Sequence, residues 1–147
     1  MIEQKIDLAH FKNIKLWQIM CEDVINIDLD TPASHAAKLM RQNRIHGLCL
    51  TEPDNPKKIK NVITSFDLLN ITYLTSLIED TQHLKEIKVK DIVQSQKLIT
   101  LSPQDTVKDA LEIIAKKNIR TIPITEDGMM VGIVSVLDIV KAVQKSI

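Results

Sequence analysis

Two short segments of the chain place a hydroxyl three residues before a carboxylate, Thr64-x-x-Asp67 and Ser135-x-x-Asp138. Ser135 closes an apolar run that reads as a strand, and Asp138 falls in the first turn of the helix that follows. Hydroxyl, carboxylate and helix-start amides therefore converge on one point. A carboxylate can accept both hydroxyls of a ribose, while a hydroxyl and a helix N-terminus donate to a phosphate oxygen. Arg120, on the strand entering the same hairpin, adds a guanidinium whose planar fork suits phosphate. Gly132 lets a ring approach the backbone closely, and Leu98, Ile99 and Val107 supply aliphatic walls. The second set is Thr64, Asp67 and His46, with His46 in the place of Arg120.

The two sets are unequal. Asn61 stands at the glycine position and Cys49 at the position of Pro123, and His46 is only partly charged at neutral pH, its ordinary pKa being about 6.5. Ser/Thr-x-x-Asp is also the spacing of a helix capping box. A cap is repeated whenever a fold is duplicated, so the motif speaks for architecture as much as for a ligand. Arg120 is the residue that a cap does not need.

The elements that carry these residues occur twice. Ala33, Ala36, Ala37 and Met40 match Val107, Ala110, Leu111 and Ile114 at a constant offset (107 − 33 = 74). Both sets follow the i, i+3, i+4, i+7 spacing of a buried helix face. Val24 to Ile27 and Leu98 to Leu101 read as strands feeding those helices, and Asp30-Thr31 and Asp105-Thr106 as their caps. Thr121 to Thr125 and Met130 to Ser135 flank the turn signal Glu126-Asp127-Gly128 and predict an antiparallel hairpin. The first copy has Glu52-Pro53-Asp54-Asn55-Pro56 there, which predicts a longer hairpin loop. Beyond it the offset falls (138 − 67 = 71), so the length change is assigned to that loop. Helices follow over Leu68 to Leu77 and Ile139 to Val143. Each copy reads strand, helix, strand, strand, helix, an α+β arrangement.

Composition narrows the function. The chain has 147 residues, with 44% apolar residues and 3% aromatic ones, enough for a substantial core that aliphatic side chains must fill. Lysine plus arginine equals aspartate plus glutamate at 19 each, which leaves no electrostatic footprint for nucleic acid. Cys21 and Cys49 have no metal-ligand or disulfide spacing and read as buried or inert thiols. His10, His35 and His83 have no partners at metal-ligand spacing. Lys57-Lys58-x-Lys60 reads as a solvated turn, and Trp17 as a core or interface anchor. No stretch is long enough to span a bilayer, the start lacks a signal-peptide apolar region, and the expected compartment is cytoplasmic. No nucleophile-base-orienter set, metal constellation or phosphate-binding glycine-rich loop is present, so an enzyme is not expected.

The ordered motifs together resemble a family. Leu-x-x-Ile-Met at 16 to 20, Val-x-x-Ile-Val at 89 to 93, Ile-Arg-x-Ile-Pro-Ile at 119 to 124 and Gly132-Ile133-Val134-Ser135-x-x-Asp138 look like a tandem pair of CBS domains over roughly residues 15 to 145. The resemblance implies a Bateman module, a pseudo-twofold pair with two inter-domain clefts. Its members commonly bind AMP, ADP, ATP or S-adenosylmethionine and signal to an enzyme, channel or transporter. It places CBS domain 1 at 15–77 and CBS domain 2 at 89–147, while residues 1–14, which carry Ile6, Leu8, Phe11 and Ile14, read as an N-terminal helical extension and 78–88 as a polar connector. It also implies a homodimer through the helices after each Ser/Thr-x-x-Asp, and a separate effector protein. The expected ligand is an adenine nucleotide or S-adenosylmethionine, with no required cofactor, metal or membrane insertion. The alternative is a ligand-independent dimerisation or protein-interaction module.

Overall fold

The computed structural model of the chain describes residues 10, 12–78, 85–93 and 97–145. Most of the expected N-terminal helix, most of the connector and His83 lie outside these residues. The architecture is α+β. In chain order it comprises a 3-10 turn at Leu16–Gln18, β1 (Asn26–Ile27), α1 (Ala33–Asn43), β2 (Gly47–Glu52), β3 (Asn55–Thr64), α2 (Ser65–Ile78), α3 (Val89–Ile92), α4 (Val107–Lys117), β4 (Thr121–Glu126), β5 (Met129–Ser135) and α5 (Val136–Lys145). The chain divides into two compact units. One holds Ile25–Leu98; the other joins Met1–Val24 to Ile99–Ile147.

The unit at Ile25–Leu98 has a three-stranded sheet in the order β1-β2-β3, with β1 parallel to β2 and β2 antiparallel to β3. Its core joins Ile27, Ala36, Met40, Leu48, Leu50, Ile63 and Val89. Ala36 and Met40 come from the predicted helix face, Val89 from α3, and the strands supply the rest. The other unit has the β4-β5 hairpin, with a core of Leu16, Val107, Ala110, Ile122, Ile124, Val134, Ile139 and Ala142.

The expected strand at Leu98 to Leu101 is reduced to a single parallel bridge, Leu101 to Ile124. Leu101 N–H donates to the Pro123 carbonyl at 3.2 Å, and Thr125 N–H donates to the Leu101 carbonyl at 2.9 Å. The next ladder bond would need an amide proton on Pro123, which proline lacks. In the other unit Cys49 holds that position and its N–H reaches the Ile25 carbonyl at 3.4 Å, so β1 forms.

The hairpin turns also differ from expectation. Asp127 and Gly128, at φ +52° and +77°, make the two-residue turn that favours Asp-Gly. The first-copy turn, Pro53-Asp54, is equally short. The three extra residues are accommodated inside β3: Glu52 pairs with Asn55 and Thr51 with Ile59, leaving Pro56, Lys57 and Lys58 between those partners. The Asn55 side chain accepts the Lys57 N–H at 3.1 Å, which satisfies a donor displaced from the ladder. Lys57, Lys58 and Lys60 are exposed, and Lys60 pairs with Glu52 at 3.3 Å.

Of the expected caps, Thr106 heads α4. α1 starts after Pro32 without a side-chain cap, because Thr31 is turned back to accept the Asp28 N–H. Asp30 instead lies 3.7 Å from the Lys90 ammonium. Cys49 is buried, which pushes its thiol pKa up to about 12, whereas Cys21 is exposed, so of the buried-or-inert reading only Cys49 takes the buried form. Trp17 is half-exposed.

The opening segments of the two repeats pack reciprocally. Leu16 N–H donates to Asp105, Trp17 N–H to Pro103, and Val107 N–H to Ile14. The matching bonds at the same offsets run from Val89 to Thr31, Lys90 to Leu29, and Ala33 to Ile87. Leu16 thus completes the core around α4 and α5, and Val89 the core around α1.

Candidate functional site

β5 runs directly into α5. Ser135 N–H donates to Asp138 Oδ2 at 2.8 Å, Ser135 Oγ donates to the same oxygen at 3.0 Å, and Asp138 N–H donates to Ser135 Oγ at 3.2 Å. Thr64 and Asp67 repeat the pattern at 2.8, 3.0 and 3.3 Å. So do Thr106 and Asp109 at 2.9, 3.0 and 3.4 Å. The box is therefore a helix-starting device at three places, and it serves that purpose with or without a ligand. At Asp109 the Thr106 backbone N–H, then its hydroxyl, hold the carboxyl below the usual carboxylate range. A carboxyl lowered in this way stabilises the fold above that range, and the contribution is lost as pH falls through the lowered value.

What separates two of the boxes from the third is the residue beside them. Val136 N–H, the first of α5, donates to the Arg120 carbonyl at 3.0 Å, and Ser65 N–H donates to the His46 carbonyl at 2.9 Å. Thr121 pairs with Ser135, and Gly47 with Thr64, which brings Arg120 and His46 alongside their boxes. The third box has Ile14 in the corresponding bond, from Val107 N–H. Arg120 and His46 are exposed, while Ser135, Asp138, Thr64 and Asp67 are half-buried. The Ser65 hydroxyl lies 3.5 Å from His46 Nδ1.

The chemistry of the serine changes with this geometry. A hydroxyl has one proton, and Ser135 gives it to Asp138 Oδ2. The phosphate-donor role expected of Ser135 is thus taken up internally, and Arg120 is left as the cation next to the box. Both bonds to the Asp138 carboxylate use Oδ2, so Oδ1 lies outside the box.

The remaining residues of the expected site are placed less uniformly. Gly132 is buried, and a Cβ there would lie 2.7 Å from Met20 Sδ and 3.1 Å from the Cys21 carbonyl oxygen. The close approach that Gly132 permits is that of Met20 and Cys21, with Cys21 and Ile133 exchanging two backbone bonds of 2.9 Å. Gly132→Ala is accordingly expected to lower stability by about 1–3 kcal/mol in denaturant unfolding, the usual cost of overpacking. An unchanged midpoint would contradict the contact. Val107 is fully buried in the core, which leaves it no surface for a ligand. Leu98 and Ile99 are half-buried, Leu98 ending one unit and Ile99 resuming the other.

Sequence reasoning passed over Lys141 and Lys145, which with Asp138 line a cavity of about 530 Å³. Their i, i+3, i+7 spacing was the available signal. Among the described residues no group of three His, Cys, Asp or Glu is placed to hold a metal ion, and no helix is long and apolar enough to cross a membrane.

The CBS domain family model matches residues 16–73 and 89–145. The CBS domain-containing protein CBSX3, mitochondrial, of Arabidopsis thaliana is 33% identical over 115 residues, covering 78% of this chain. The chain spans 53% of that protein's length. The solved CBS domain pair of protein MJ0100, in complex with 5'-methylthioadenosine and S-adenosyl-L-methionine, aligns with a TM-score of 0.72 at 21% identity, over 86% of this chain and 97% of that one. CBSX2 in complex with AMP aligns with a TM-score of 0.72 at 19% identity, over 90% and 97%. At these identities the two structures establish the shared fold.

Proposed function

The chain belongs to the CBS domain family, and from that premise we propose that it is a regulatory module that senses an adenosine-containing ligand. The observation that carries the reading is that the Arg120 backbone is bonded to the first residue of α5, the helix whose first turn holds Asp138 with Oδ1 outside the capping box. Asp138 Oδ1 accepts ribose hydroxyls, and Arg120 holds phosphate through its planar fork. His46 and Asp67 form the weaker counterpart, because the imidazole carries full charge only when protonated. The AMP and S-adenosylmethionine complexes of the similar proteins support this ligand class.

The module acts by regulation rather than catalysis, and its signal passes to a separate effector protein. The proposed compartment is the cytoplasm. Calorimetric titration with AMP, ADP, ATP and S-adenosylmethionine tests the reading. Saturable binding of at least one is expected; no binding of any up to millimolar concentration would sink it.

A second reading, ligand-independent association, draws on one observation. Phe66 and Leu69 on α2 are exposed by 60% and 63%, and Leu137 and Val140 on α5, at the matching positions, by 59% and 53%. Such apolar pairs suit a second copy of the chain. If partner binding and nucleotide response both survive Asp67→Ala combined with Asp138→Ala, this reading replaces the first.

A further inference from the structure

In the unit that contains α4 and α5, the 530 Å³ cavity lies between α5 and residues of the opening segment. Its volume falls within the range of small-molecule sites. The α5 wall is one stripe, with Lys141 and Lys145 set about 4.5 Å and about 10.5 Å along the helix axis from Asp138. Neither lysine forms an ion pair among the described residues. From the opening segment the lining residues are His10, Asn13, Ile14, Gln18 and Ile19.

Polarity is therefore ordered along the cavity. Asp138, with Oδ1 outside its capping box, offers an acceptor for hydroxyls at one end. Two ammonium groups follow on the same face, where they suit a dianion. A simple anion would use the lysines and meet repulsion from Asp138, whereas a molecule with hydroxyls at one end and phosphate at the other uses the whole stripe. Neither Arg120 nor Ser135 lines this space, so it differs from the nucleotide contact proposed above, although Asp138 borders both.

We propose that this cavity is a second small-molecule site, for the phosphate monoester of a sugar or polyol, with Asp138 receiving hydroxyls and Lys141 and Lys145 receiving phosphate. Both ligands draw on Asp138 Oδ1 and so compete for it, whereas Lys141 and Lys145 belong to this cavity alone and separate its test from that of the contact beside Arg120.

Calorimetry on the full chain with ribose 5-phosphate, ribose and inorganic phosphate tests it. Ribose 5-phosphate is expected to bind, with ribose and inorganic phosphate each weaker by about tenfold or more. Lys141→Met combined with Lys145→Met should weaken ribose 5-phosphate by about tenfold or more, the scale of one lost charge-assisted contact. Lys108→Met combined with Lys116→Met, an equal charge change on exposed α4 surface, serves as the control and should leave binding unchanged. Circular dichroism verifies that each variant is folded. The proposal is overturned by an absence of ribose 5-phosphate binding up to about 10 mM, well above ordinary metabolite-level affinities. It is equally overturned by wild-type affinity in the double lysine variant, or by inorganic phosphate binding as tightly as ribose 5-phosphate.

Discussion

Asp138→Ala is expected to weaken adenosyl-ligand binding by about 10- to 100-fold while the protein remains folded. The carboxylate does two jobs. Its Oδ2 accepts the Ser135 N–H and hydroxyl and so starts α5; the loss of such a cap costs about 1 kcal/mol. Its Oδ1 lies outside that box, where hydrogen bonds from ribose hydroxyls to a charged acceptor contribute about 1.5–3 kcal/mol. Ser135→Ala separates the roles, because the serine hydroxyl is already donated to Asp138 and only the cap is weakened. Thermal unfolding should therefore place the two variants close together, while titration sets them far apart. Arg120→Met supplies the complementary arm: the side chain is exposed, so stability should hardly move while phosphate-bearing ligands lose affinity. Equal binding by wild type, Asp138→Ala and Arg120→Met would remove the start of α5 from the nucleotide site.

Leu16→Ala should destabilise the protein by about 2–5 kcal/mol, the range for truncating a buried leucine. Leu16 has no exposed surface, and its neighbours in the core include Val107, Ala110, Ile122 and Ile139. The location of the damage is the sharper test. Leu16 opens the first repeat but is buried with α4, β4 and α5, so amide exchange should accelerate over residues 107–145 before it does over 26–64. Val89→Ala should show the opposite pattern, since Val89 lies in the core with Ala36, Met40 and Leu50. Acceleration of 26–64 in Leu16→Ala would mean that each repeat keeps its own opening segment in solution.

Residue type and spacing were enough to find the helix faces at Ala33–Met40 and Val107–Ile114, the Asp-Gly turn and the capping-box spacing of Ser135 and Asp138. These depend on interactions within a few residues, where helical and strand periodicity leave few alternatives. The longer first-copy loop was misplaced because an offset counts inserted residues without locating them. Pairing of Thr51 with Ile59 puts them within β3. The strand at Leu98 to Leu101 failed for a reason present in the sequence, the missing proton of Pro123, but the consequence needs the partner strand's register. Gly132 was expected to admit a ligand ring, and in the structure Met20 and Cys21, far away along the chain, lie against it.

By itself, the sequence determined the duplicated α+β design, the family and the two Ser/Thr-x-x-Asp boxes, with Arg120 near one and His46 near the other. Those properties follow from local periodicity and from side-chain chemistry that does not depend on partners. Only the tertiary structure decided which copy each opening segment completes, since Leu16 and Val89 are similar apolar side chains and burial energy alone is indifferent to which pocket receives them. It also decided that the Ser135 hydroxyl is engaged by Asp138 Oδ2. A hydroxyl can donate only once, and which acceptor takes that proton depends on distances of about 3 Å that residue spacing alone does not specify.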